Sequence, residues 1–79
     1  MEEVKVNGKY HHFKGKDYRV VALARDCDNP QRILVIYQAL YESADFGKAQ
    51  VWVREAADFL GNKKLENGTV VKKFTFVPE

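Results

Sequence analysis

Arg32–Tyr41 reads RILVIYQALY, a run dominated by β-branched and aromatic residues, the types that pack best on a pleated surface. Read as a strand, its side chains alternate between two faces. Val35, Tyr37, Ala39 and Tyr41 share one face, and Leu34, Ile36, Gln38 and Leu40 share the other. Val51–Arg54 (VWVR) repeats the pattern in miniature, with Val51 and Val53 on one face and Trp52 and Arg54 opposite.

Turn signals on either side of these runs divide the rest of the chain. Two Asn-Gly pairs, Asn7-Gly8 and Asn67-Gly68, are hairpin signals, because a type I′ turn needs positive φ at both central positions. The first is expected to join Glu3–Val6 to Lys9–Phe13, the second Lys64–Glu66 to Thr69–Val77. Asn67-Gly68-Thr69 also matches a glycosylation sequon, and a turn is the simpler reading. Lys14–Asp17 reads as a turn leading into Tyr18–Arg25, and Cys27–Pro30 as a loop. Glu42–Lys48 reads as a polar loop. Glu55–Leu60 fits one helical turn, stopped by Gly61 in the C′ position.

Seventy-nine residues make a single domain, 1–79, that buries only about 60% of its unfolded surface. The expected fold is mainly β: a small SH3-like barrel of about five short antiparallel strands, curled to bury one face and hide its edges. The competing architecture is α+β, with Gln38–Leu60 more helical.

Composition narrows the setting. Hydrophobic residues make up 46% and charged residues 30%, too apolar for a disordered chain. The lone Cys27 forms no internal disulfide, and a reducing cytoplasm is expected. The N-terminal residues lack an apolar signal region, and the longest apolar run, Ile33–Tyr37, falls far short of the ~20 residues that span a bilayer. A cytoplasmic protein with no membrane partner is the expectation.

Net charge is +2, unevenly spread. Lys5, Lys9, Lys14, Lys16, Arg19 and Arg25 stand against Asp17 alone, a local +5. Such asymmetry marks either a phosphate-facing surface or the solvated face of ordinary strands.

Catalytic and metal chemistry find little support. Adjacent His11 and His12 point to opposite faces of a strand and do not ligate one metal together. Cys27 lies between Asp26 and Asp28, carboxylates that raise a thiol pKa, whereas a nucleophilic cysteine needs cationic surroundings. Gly8 and Gly15 sit in turns that precede no helix, so no phosphate loop is formed. No cofactor, metal or catalytic residue is expected, and an enzyme is the lesser expectation.

The positive signal is aromatic-basic interleaving. With the aliphatic sets facing the core, Tyr37, Tyr41, Trp52 and Arg54 form an exposed stacking patch suited to bases, planar ligands or extended peptides. With the rings facing inward, they fill a small core that needs their bulk. Exposure of Trp52 decides between the two.

The ordered blocks Tyr10, His12–Gly15, Tyr18, then Ala24, Val35, Tyr37, Leu40, Tyr41, Trp52–Arg54 and Phe59 resemble a short bacterial domain family whose function is not established. The resemblance covers roughly Gly8 to Phe76. Two departures are Glu55, where the family pattern has proline, and Asp26–Pro30, where it has a His-Ser-Glu-Thr-like loop. The resemblance implies a bacterial cytoplasmic setting and nominates His12, Lys14, Tyr37, Trp52 and Arg54 for testing.

The leading expectation is a non-enzymatic recognition module for a nucleic acid or nucleotide-like anionic ligand, with His12, Lys14, Arg19, Tyr37, Tyr41, Trp52 and Arg54 as binding residues. Arg54 supplies the forked cationic contact. The alternative is a protein-interaction or self-associating module, monomer or weak homodimer, and a third reading is a small enzyme using His12 with a carboxylate as an acid-base pair.

Overall fold

The Arg32–Tyr41 run forms an interior strand of a sheet, β3 (Ile33–Ala39), in keeping with its β-branched and aromatic composition. The computed structural model describes residues 4–79. In chain order the other elements are β1 (Lys9–His12), β2 (Asp17–Arg25), β4 (Glu42–Ser43), β5 (Gly47–Lys48), β6 (Val51–Glu55), α1 (Ala56–Phe59), β7 (Asn62–Lys64), β8 (Val70–Lys72) and β9 (Phe74–Val77). Five of these strands make one antiparallel sheet in the order β6-β3-β2-β1-β9; β4-β5 and β7-β8 are separate two-stranded hairpins. The mainly β class, the five antiparallel strands and the single helical turn are all present. Among the described residues no helix is long and apolar enough to cross a membrane.

The faces are assigned by burial. Val35, Tyr37 and Ala39 are buried while Val51 and Val53 are exposed, so the aromatic side of β3 and β6 faces inward. Tyr10, Val20, Val35, Tyr37, Phe59 and Phe74 form one core cluster, with Tyr18, Trp52 and Leu60 packed against it. Phe59 hangs from α1 and stacks on Phe74 with centroids 4.1 Å apart. The helical turn thereby lids the concave face of the sheet.

That face is strongly curled. In β2 the register slips between Val20 and Ala22, and such a bulge bends and twists its strand. The curl is tight enough that Tyr37 on β3 meets Phe74 on β9, three places away in the sheet, at 5.4 Å between ring centroids.

Barrel closure, the finer part of the expectation, does not occur: β6 and β9 end the sheet without pairing. The reason lies between them, where α1 and Gly61 occupy the gap a closing ladder would need. Lys73 N–H donates to the Gly61 carbonyl at 3.0 Å, so the mouth is bridged through the helical turn.

The turn signals place correctly and differ in type. Glu3 lies outside the described residues, and residues 4–6 form no strand. Gly8 N–H donates to the Lys5 carbonyl at 3.0 Å, with the positive φ (68°) at Asn7 alone. That is a turn with its left-handed residue at the third position. Gly8 is needed for space instead, since a Cβ there would lie 2.9 Å from the Lys5 carbonyl oxygen. The second pair does turn a hairpin, β7–β8, with the positive φ (86°) at Gly68 alone, as in a three-residue loop with a left-handed glycine. The strand expected over Thr69–Val77 divides at Lys73 into β8 and β9. Gly61 lacks the positive φ expected of a C′ residue.

Candidate functional site

On the concave face, beside the Phe59–Phe74 core, polar groups from four strands and the helical turn converge. β1 brings His12, β2 Tyr18, β3 Tyr37 and β6 Arg54; Tyr41 follows β3, Asp58 lies on α1, and Lys73 precedes β9. The rings form a continuous chain of edge-to-face contacts: Tyr37–Tyr18 at 5.3 Å, Tyr18–Tyr41 at 5.5 Å and His12–Tyr18 at 6.3 Å. His12 also lies 4.8 Å from the Phe74 ring. The Tyr18 and Tyr41 hydroxyls share a hydrogen bond of 2.7 Å, and Lys16 Nζ sits 5.1 Å over the Tyr41 ring.

Arg54 is held from three sides. Its Nε donates to the Tyr37 hydroxyl at 3.2 Å and an Nη to Asp58 Oδ2 at 2.8 Å, and its guanidinium lies 5.3 Å over the Phe74 ring. Lys73 Nζ donates to the other Asp58 oxygen. One carboxylate thus answers two cations, and the surroundings keep a positive excess. A guanidinium carries five N–H donors, two of which these bonds use.

The titratable groups register this field. Burial lowers the His12 pKa below its usual 6.5, and Arg54, Lys14, His11 and Lys73 push it the same way. Lys14 N–H donates to His12 Nδ1 at 3.2 Å, which places the proton of the neutral ring on Nε2. Burial and the bond to Tyr41 raise the Tyr18 phenol well above its ordinary value. The Lys73 hydrogen bond, with Arg54 adding to it, lowers the Asp58 carboxyl against the opposing effect of burial. Burial works against the charge on Arg54, but Tyr37 and Asp58 outweigh it and the net shift is upward.

Of the residues nominated from sequence, His12, Tyr37, Tyr41 and Arg54 meet here, and Lys14 adjoins them through its backbone N–H to His12 while its ammonium lies 6.0 Å over the Phe13 ring. Tyr37 is only 5% exposed, so it orients Arg54 and offers no stacking face; the inward reading of the rings is the one realised. Trp52 shares this side, opposite Tyr37 across the ladder, but is half-buried against the core and capped by Phe46 at 5.1 Å. Arg19 points to the other face of the sheet. Both its terminal nitrogens bind Glu79, at 2.8 and 3.0 Å, and it stands apart from the cluster.

Tyr18, Asp58, Lys73 and Phe74 were not singled out as site residues. The Arg54–Asp58 spacing of four was a usable signal; nothing local in the sequence brings Lys73 and Phe74 across from the far edge. The histidine that pairs with a carboxylate is His11, 2.6 Å from Asp17, on the convex face, whereas no carboxylate bonds His12 among the described residues. Asp26, Cys27 and Asp28 bring ligand atoms within 4.8 Å of one another. Asp26 is already engaged by Asp28 N–H at 2.9 Å and Arg32 at 3.1 Å, and exposed carboxylates cluster commonly without metal.

Two grooves adjoin these features. One of about 420 Å³ lies under the β7–β8 hairpin, lined by His11, Phe13, Leu65 and Val71. Another of about 390 Å³ borders Tyr41, Glu42 and Lys48. The second touches the concave cluster, and its chemistry makes it the more relevant of the two.

Residues 8–76 match the profile of the family described as "Protein of unknown function (DUF1653)". The crystal structure of a DUF1653 protein from Bordetella bronchiseptica is similar at a TM-score of 0.74, with 25% identity over 95% of each chain. None of the curated proteins matches significantly.

Proposed function

The chain belongs to the DUF1653 family of proteins of unknown function, and from its own site we propose that it recognises a small anionic ligand of nucleotide-like or oligonucleotide character. The observation that carries this reading is the held guanidinium of Arg54, fixed by Tyr37 and Asp58 with Lys73 beside it. A guanidinium ordered before the ligand arrives loses little freedom on forming a forked contact with phosphate or carboxylate. The Nε2–H of His12 and the Tyr18–Tyr41 hydroxyls supply neutral donors beside it. Lys16, over the Tyr41 ring, adds a further cation beside the two hydroxyls. The role is binding, with no residue assigned to catalysis.

The test is a nitrogen-proton NMR titration of the labelled protein at low salt with a nucleoside monophosphate and, separately, a mixed single-stranded oligonucleotide pool. Expected are shifts at His12, Lys14, Tyr41 and Arg54, weakened by salt with a slope of roughly −0.7 per phosphate for the single strands and lost in Arg54→Gln. A silent spectrum, or a binding midpoint unchanged by salt, overturns the phosphate reading.

A further inference from the structure

The tyrosines of the concave face form a row with a cation at each end. Tyr37 and Tyr41 lie four residues apart along β3 and its continuation, a reach of roughly 13 Å in extended chain. Tyr18, from β2, stands between them, its ring 5.3 Å from one and 5.5 Å from the other. At the Tyr37 end is the held guanidinium of Arg54, which keeps N–H donors beyond the two given to Tyr37 and Asp58. At the Tyr41 end is Lys16, whose Nζ rests 5.1 Å over the ring.

Lys16 is also fixed before any ligand arrives. Its carbonyl accepts from the His12 N–H at 2.7 Å, and the Gly15 N–H donates to the His12 carbonyl at 2.8 Å, so the turn that carries it is tightly closed. The next residue, Asp17, lies on the convex face and is taken by His11 at 2.6 Å and Lys9 at 3.7 Å. Its charge is thereby turned away from Lys16. Glu42 follows Tyr41 in the chain but stands opposite Lys48 in the β4–β5 pair.

Between the two cations the row offers hydrogen-bond donors. The Tyr18 and Tyr41 hydroxyls share one hydrogen bond, so whichever accepts keeps its own proton to give. His12, 6.3 Å from the Tyr18 ring, presents its Nε2–H, because Nδ1 is occupied by the Lys14 N–H. Donors bounded by cations suit a ligand whose contacting atoms are anionic oxygens. An acidic peptide brings as many backbone N–H donors as carbonyl acceptors, and the row answers mainly the acceptors.

Taking Arg54 as a phosphate contact, as proposed above, we infer that the ligand is a single strand of nucleic acid, with one phosphate on Arg54, the neighbouring phosphate on Lys16 and the linking sugar across Tyr18. The spacing favours a strand over a nucleoside diphosphate, whose two phosphates share a bridging oxygen and lie closer together than one ring step of the row. The hollow favours one strand over a duplex. The sheet is curled so far that Tyr37 reaches Phe74 at 5.4 Å, on a molecule only 38 × 31 × 27 Å across.

The test compares affinities at low salt for thymidine monophosphate, thymidine diphosphate and the 5′-phosphorylated thymidine dinucleotide. The dinucleotide is expected to bind about three- to fivefold more tightly than the monophosphate, the worth of one further exposed ion pair. Its salt slope is expected to be steeper by roughly 0.7, and the diphosphate to gain less than the dinucleotide. Lys16→Gln is expected to bring the ratio of dinucleotide to monophosphate affinity close to one. Arg25→Gln, which removes the same charge at the far end of β2, leaves that ratio as it was, and Arg54→Gln weakens all three probes. If the monophosphate binds but the dinucleotide has no advantage, or its advantage survives Lys16→Gln, this inference falls and the Arg54 reading stands. A diphosphate that gains as much as the dinucleotide overturns the strand in favour of a nucleoside polyphosphate. No binding by any probe overturns both readings.

Discussion

His12 is the residue at which the concave field is most directly measurable. Its pKa is lowered by burial first and by Arg54 and Lys14 next, so the folded state binds its proton less tightly than the unfolded chain does. Its contribution to stability is therefore fully present above the ordinary 6.5 and is lost as pH falls from there toward the depressed folded value. Urea unfolding followed between pH 7.5 and 5 is expected to show stability declining below about 6.5. His12→Phe removes that slope while leaving the carboxylate-dependent fall at lower pH. A slope identical in both proteins refutes the assignment. Tyr18 gives a second handle: Tyr18→Phe deletes the 2.7 Å bond to Tyr41 without changing the ring, at an expected cost of about 0.5–1.5 kcal/mol. Phe59→Ala is in another class, since it empties the centre of a thin core. A loss of about 3–5 kcal/mol leaves little folded protein, which far-ultraviolet circular dichroism at 25 °C would report.

Elements show where local sequence suffices and where it does not. Alternation grouped Tyr37 with Val35 and Ala39, and Trp52 with Arg54, correctly, because pleat geometry is local. It could not say which group faces inward, since that depends on Phe59 and Phe74, brought over the sheet from 22 and 37 residues beyond Tyr37. The Asn-Gly pairs likewise marked both turns, but not which residue of each takes the positive φ. At the first turn Asn7 is left-handed and Gly8 leaves room beside the Lys5 carbonyl that its N–H bonds; at the second Gly68 is left-handed in open space. Gly68→Ala consequently meets no atom and bears only the cost of a left-handed alanine, about 1–2 kcal/mol. Thermal unfolding is expected to fall by several degrees (about 4–8 °C per kcal/mol for a domain this size). Little change would mean that the β7–β8 hairpin is uncoupled from global unfolding.

At the scale of the whole molecule, the sheet is curled like a barrel but closed by side chains in place of a ladder. Asp58 is the hinge pin: from α1 it takes Arg54 of edge strand β6 on one oxygen and Lys73, next to edge strand β9, on the other. The sheet stays open at this point, where the expected helical turn and Gly61 bridge its two edges, a consequence for closure that is non-local. The same pin orders the guanidinium to which the proposed ligand recognition is assigned, so one carboxylate serves both closure of the mouth and the proposed site. Asp58 is partly solvent-exposed and its pairs are screened, so Asp58→Asn is expected to cost only about 0.2–1 kcal/mol globally. Its local effect is expected to be larger. With Asp58 uncharged, the link from Lys73 N–H to the Gly61 carbonyl loses its side-chain support, and the Lys73 amide should exchange with deuterium markedly faster than in the parent. Amides of β2 and β3, each paired on both sides, should keep their rates to within the small global change. Because the carboxyl is held below its usual value by its cations, the stability it lends is present at neutral pH and lost as pH falls through the depressed folded value. The parent at low pH should therefore reproduce the selective Lys73 opening of Asp58→Asn at pH 7. If instead all sheet amides accelerate together, the mouth is not a separable unit and Asp58 acts on the fold as a whole.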